Sequence, residues 1–90
     1  MSFKKLFNII IYKTKNFQVN QDWEVPILGF FIITSKRKMK SIMDLTETEA
    51  QELMTIIRKI RVAMKSVLKI KEVCVFHDEK TKFNFHVWLL

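Results

Sequence analysis

Residues 46 to 49 read Thr-Glu-Thr-Glu, and they open the clearest helical stretch of the chain. The Thr46 hydroxyl can accept from the Glu49 amide while the Glu49 carboxylate bonds back, which is a capping box. Acidic residues crowd the first turn, as the helix dipole prefers. Ala50, Leu53, Met54, Ile57, Ile60, Met64, Val67 and Leu68 then recur at helical spacing along one predicted apolar face, with the methionines as core filler. Arg58, Arg61, Lys65 and Lys69 take other positions toward the C-terminal half, again with favourable polarity. One long helix cannot bury such a stripe alone, so the flanking segments must supply the other layer.

Those segments read as strands. Phe7 to Lys13 is rich in Ile and ends beside a plausible Lys15-Asn16 turn, and Phe17 to Asn20 alternates to close a hairpin. Asp22 to Leu28 reads as irregular because Pro26 lacks a donor for a ladder bond. Gly29 to Thr34 is a third strand, continuously apolar as if buried on both faces. Glu72 to Phe76 is a fourth, His77 to Thr81 a charged, solvated loop, and Lys82 to Leu90 a fifth. The expected fold class is α+β: an antiparallel sheet of about five strands with one long helix packed on it.

Composition narrows the rest. Ninety residues, 49% of them hydrophobic, suffice for one small domain with a core. One Gly and one Pro leave no room for a Gly-rich phosphate loop. The single cysteine, Cys74, excludes a disulfide within the chain and a cysteine zinc site, and its apolar neighbours predict a buried thiol. A site between His77 and His86 lacks further ligands, so neither metal nor cofactor is expected. The charged start mimics a signal peptide, but Asn8 breaks its short apolar run and no small-residue cleavage site follows. The expectation is a soluble cytoplasmic protein.

Net charge is +7, densest at Lys36-Arg37-Lys38-Met39-Lys40, which reads as an exposed turn between strand and helix. Such a surface attracts nucleotides, nucleic acid or acidic lipid, or is merely solvated.

The closing stretch Asn84-Phe85-His86-Val87-Trp88-Leu89-Leu90 has period two, placing Asn84, His86 and Trp88 on one strand face. Three hydrogen-bonding side chains around a histidine form either a catalytic row or an ordinary strand facing a polar loop. The chain stops inside this apolar strand, as a truncated domain does, or one whose terminus docks on a partner chain.

In this order the segments resemble the histidine triad (HIT) family. Tyr12-Lys13-Thr14-Lys15-Asn16-Phe17-Gln18-Val19 looks like the family's opening hairpin, and Asp22 falls where the family has an acidic residue before its next strand. The run from Gly29 to Lys38 is similar to the "GHvLViPKrH" strand and basic turn, and Ser41 to Ala50 to the start of its helix. Residues 84–90 lie over the signature His-φ-His-φ-His-φ-φ, with Asn84 at the first histidine and Trp88 at the third. The stretch before that signature, rich in Gly and Asn in the family, is short and charged here.

The resemblance implies one HIT-like domain over residues 1–90. It also implies a homodimer that binds nucleotides or dinucleoside polyphosphates and acts at the α-phosphorus of nucleoside phosphoesters. By the same match His86 is the nucleophile, Asn84 and Trp88 occupy substrate-binding positions, and Asp22 holds ribose hydroxyls. Phe7, Ile9 and Phe17 would wall the base. An indole offers only an N–H and cannot shuttle a proton. Two further readings therefore stand beside the enzyme: a nucleotide-binding protein with weak or no catalysis, and a nucleic-acid-binding module using Lys36, Arg37, Lys38 and Lys40.

Overall fold

The computed structural model describes residues 9–21, 31–80 and 84–90. Within them run β1 (Ile9–Lys13), β2 (Phe17–Gln21), β3 (Phe31–Ser35), a 3-10 turn (Ile42–Asp44), helix α1 (Glu47–Ser66), β4 (Val75–Phe76) and β5 (His86–Leu89). The strands form one antiparallel sheet in the order β1-β2-β3-β5-β4. The expected α+β architecture is therefore present, with the closing strand in the interior of the sheet. Expected strand residues Phe7, Gly29, Phe30, Lys82 and Phe83 lie outside the described residues.

Register builds the core. Val19, Ile33 and Val87 are cross-strand neighbours, as are Phe31 and Leu89, so the odd-numbered side chains of β2, β3 and β5 share one face. Phe17, Val19, Ile33, Phe85, Val87 and Leu89 pack there with Leu53, Ile56 and Met64 of α1 and with Met39. Phe17, fully buried and 6.5 Å from Phe85 between ring centroids, is a core residue and not the wall of a base pocket.

The helix starts as predicted: Thr46 accepts from the Glu49 amide at 3.1 Å and Glu49 accepts from the Thr46 amide at 2.8 Å. Its buried stripe differs from the predicted one. Glu49, Leu53, Ile56 and Met64 are buried, whereas Ala50, Met54 and Val67 are exposed. A buried glutamate rotates the helix, because Glu49 takes a two-pronged bond from Arg37: Nη2 at 2.8 Å and Nε at 3.2 Å. That guanidinium first, and the Thr46 amide second, hold the Glu49 carboxyl down from 4.5 to about 2.

A second carboxylate ties the helix to the first hairpin. Glu52 accepts from the Asn16 amide at 2.9 Å, from Asn16 Nδ2 at 2.8 Å and from the Thr14 hydroxyl. Burial opposes its charge, but these donors outweigh burial and keep its pKa below the usual value.

At the other end, Lys69 adopts φ 60° and the Ile70 amide reaches back to the Met64 carbonyl at 3.0 Å. Lysine here takes the left-handed conformation that glycine adopts at no steric cost, and a backbone bond spanning six residues closes the end of the helix. The chain then arrives at a short edge strand. Cys74 exchanges backbone bonds with Leu90 at 2.8 and 3.0 Å, yet its side chain is exposed, as are Val75 and Phe76. The expected buried strand and core thiol are corrected accordingly: β4 pairs only with β5, and the sheet ends there among the described residues. No helix among the described residues is long and apolar enough to cross a membrane.

Two expectations follow from these helix ends. Because the Glu49 pKa is depressed, the stability it lends is fully present above 4.5 and is lost as pH falls through about 2. Melting temperature should therefore decline across that window, and Arg37→Met should flatten the decline; parallel profiles would exclude the ion pair as its source. Lys69→Gly should raise unfolding free energy by roughly 0.5–1 kcal/mol in urea titration, since relief of the left-handed strain exceeds the added chain entropy.

Candidate functional site

On the face opposite the helix, Gln18, Thr34 and His86 form one cross-strand row and Asn20, Ile32, Trp88 and Phe76 the next. His86 is buried among them. Its Nδ1 lies 2.7 Å from the Asn84 carbonyl oxygen. A carbonyl can only accept, so Nδ1 carries the proton and the lone pair of the neutral ring is on Nε2. This is the tautomer in which Nε2 can act as a nucleophile or base.

Trp88 follows on the same face, half-buried. Its ring stands 4.6 Å from that of His86 at 56°, and 4.6 Å from that of Phe76 at 61°. An aromatic column thus flanks the imidazole on the side of the sheet edge, with edge-to-face geometry of the favourable kind.

Asn84 occupies the same stretch but spends its side chain on the protein. Its Oδ1 accepts from the Met39 amide at 2.8 Å. Its Nδ2 donates to the Ser35 carbonyl and hydroxyl, both at 2.9 Å, and to the Arg37 carbonyl at 3.1 Å. The Met39 bond fixes which end of the amide is oxygen. Around the same turn, Phe85 N–H donates to the Met39 carbonyl at 2.7 Å and Ser35 N–H to the Phe85 carbonyl at 3.2 Å.

The basic segment is accordingly a packed turn and not a uniformly solvated one. Met39 is buried in the core. Lys36 Nζ donates to the Thr14 carbonyl at 2.6 Å, and Arg37 Nη2 reaches the Asp44 carbonyl at 2.7 Å besides its bonds to Glu49. Lys38 and Lys40 are exposed. Two of the four cations of the expected nucleic-acid surface therefore have their heads engaged within the protein.

His77 also departs from its expected solvated loop. Its Nδ1 lies 2.9 Å from the His86 carbonyl, its ring stands 4.6 Å from that of Phe85, and its Nε2 is buried with no hydrogen-bond partner among the described residues. It lines a groove of about 570 Å³ on the helix side of the sheet, walled by Leu45, Leu53, Met54, Ile57, Val75 and Phe85. This apolar groove is on the opposite face from the His86 ring. Asp22 lies outside the described residues. Among those described, no three His, Cys, Asp or Glu side chains are grouped to hold a metal ion.

Sequence reasoning placed His86 and Trp88 on one face but missed Ser35, Met39 and His77. Met39, apolar among lysines, was the one signal that the basic turn is anchored.

No family model matches the sequence, and no curated protein does. Solved structures do match. A HIT-like protein from Bartonella henselae, described as involved in cell-cycle regulation, superposes with a TM-score of 0.77 at 12% identity, covering 92% of this chain and 68% of that one. A HIT family protein from Bacillus anthracis gives 0.79 at 19%, covering 92% and 62%. A HIT family hydrolase from Legionella pneumophila gives 0.65 at 17%, covering 92% and 80%. The chain thus spans only part of each, and less than two thirds of the Bacillus protein. At these identities the likeness concerns architecture, and it agrees with the strand order and single long helix found here: this chain has the fold of the histidine triad proteins.

Proposed function

We propose that this protein is a nucleotide hydrolase or nucleotidyltransferase acting at the α-phosphorus of nucleoside phosphoesters, with His86 as nucleophile. The observation that carries this reading is the 2.7 Å bond between His86 Nδ1 and the Asn84 carbonyl, which leaves the lone pair on Nε2. Attack by Nε2 on phosphorus forms a P–N bond as the bond to the leaving group breaks. Water or an acceptor alcohol then cleaves the nucleotidyl-histidine. In this reading Asp22 accepts from ribose hydroxyls and Trp88 lies against the substrate. The HIT-like fold and the Legionella hydrolase among its neighbours support the class.

A second reading, nucleotide binding with little turnover, is favoured by Trp88. Its indole donates a hydrogen bond but no proton, so acid help to a leaving group, worth about 10²–10⁴-fold, has no source at that position. Incubation with an adenosine phosphoramidate and a dinucleoside polyphosphate separates the two. Enzyme activity predicts product release by the wild type and, on acid-free quenching, a nucleotide covalently attached to the protein, both lost in His86→Ala. Nucleotide binding without product or adduct from either substrate would establish the second reading instead.

We also place the protein as a cytoplasmic homodimer, joined through the β4 edge and the apolar groove beside it. Ile42, Met54, Val75 and Phe76 are 58%, 55%, 48% and 40% exposed around that groove, a patch that association would cover. Sedimentation should give about twice the 10.8 kDa chain mass, and Met54→Lys should shift it to the monomer; a monomeric wild type at high micromolar concentration would exclude the dimer.

A further inference from the structure

We propose that Asn84 is a positioning residue for His86, acting through the orientation of its own carbonyl and not by contact with substrate. The peptide unit joining Asn84 to Phe85 carries the acceptor of the His86 Nδ1 proton on one side and the Phe85 N–H on the other. That N–H is bound to the Met39 carbonyl at 2.7 Å. Met39 in turn gives its own N–H to Asn84 Oδ1 at 2.8 Å. Met39 therefore holds the 84–85 peptide through the Phe85 N–H and the Asn84 side chain through Oδ1.

The other end of that side chain fixes this hold in space. Nδ2 faces three oxygens of the same turn: the Ser35 carbonyl, the Ser35 hydroxyl and the Arg37 carbonyl. The Ser35 hydroxyl gives its proton to the Arg37 carbonyl at 2.8 Å, so toward Asn84 it can only accept. An amide supplies both the donor and the acceptor that this arrangement needs. With its polar atoms so engaged, the side chain has little left to offer a phosphate. A one-ångström shift of a reacting group costs about 10²-fold in rate, so fixing the carbonyl that aims the imidazole is a sufficient role.

The consequence for rate rests on His86 being the nucleophile, whereas the consequence for the ring's tautomer does not. The test reads the tautomer directly. The chain has two histidines, so ¹⁵N-histidine labelling with two-bond ¹⁵N–¹H correlation, assigned through His77→Gln, resolves His86. Wild type should show His86 protonated on Nδ1. Asn84→Ala, with helix and sheet content retained by circular dichroism, should show loss of that single form and the appearance of the Nε2-protonated one. Ser35→Ala, a smaller lesion that removes one Nδ2 acceptor, should move His86 in the same direction to a lesser extent, and it decides the matter if Asn84→Ala does not fold.

An unchanged His86 tautomer in a folded Asn84→Ala protein, or in Ser35→Ala where only that variant folds, would reduce Asn84 to a purely structural residue and overturn the proposal. Where nucleotidyl transfer is measurable, kcat should fall about 10- to 100-fold in Asn84→Ala with KM nearly unchanged. A rise in KM at constant kcat would instead make Asn84 a substrate ligand and equally overturn it. Absence of any transfer by the wild type removes the enzyme reading and leaves the tautomer result standing.

Discussion

The guanidinium of Arg37 lies across the carboxylate of Glu49 with two bonds, and much of the local order around β5 depends on that pair. Glu49 is buried at the first turn of α1, where its carboxylate also closes the capping box. Arg37 belongs to the turn that leaves β3, and its carbonyl receives Asn84 Nδ2. The start of the helix, the β3 turn and the approach to β5 are thereby joined through one residue. A two-pronged arginine–carboxylate bond suits this use because it fixes direction as well as distance. The Asp44 carboxyl, held below its usual range by the Ser41 and Lys40 amides, continues the same network across the 3-10 turn.

The sheet divides its two faces sharply. The helix side holds the fully buried apolar residues and, toward β4, an apolar groove. The other side holds the imidazole, the indole and the polar cross-strand neighbours Gln18 and Thr34. Size alone would direct attention to the groove, since ligand sites are usually apolar clefts of several hundred cubic ångströms. Yet the groove's lining is overwhelmingly hydrophobic, with His77 as its polar contributor from a side chain. The nitrogen lone pair of His86, held in place by the Asn84 carbonyl, is on the opposite face.

Local signals proved legible in the sequence and distant ones did not. Thr46 and Glu49 are three residues apart, and their reciprocal bonds are found where the pattern puts them. The period of two in β5 correctly separates Phe85, Val87 and Leu89 from His86 and Trp88. The rotation of the helix was not legible, because Glu49 is buried only by virtue of Arg37, 12 positions earlier. A glutamate in a capping box reads as solvent-facing until its partner is known. Cys74 and Val75 failed for a related reason: an apolar run predicts burial only if something covers it, and strand order decides that, among the described residues, β4 sits beside β5 alone. Asn84 reads as a hydrogen-bonding face residue, but its partners are 45 to 49 positions away.

The two histidines show how one kind of bond yields opposite surroundings. In each ring Nδ1 meets a backbone carbonyl, that of residue 86 for His77 and that of residue 84 for His86, so in the neutral form of either ring the lone pair is on Nε2. His77 lines the apolar groove, and its Nε2 is buried with no hydrogen-bond partner among the described residues, a state that costs about 1–3 kcal/mol. His86 projects from the opposite face, beside Trp88 and Thr34. Since the His86 carbonyl accepts from His77 while the His86 ring donates to Asn84, the backbone and the side chain of this one residue serve the two histidines in turn.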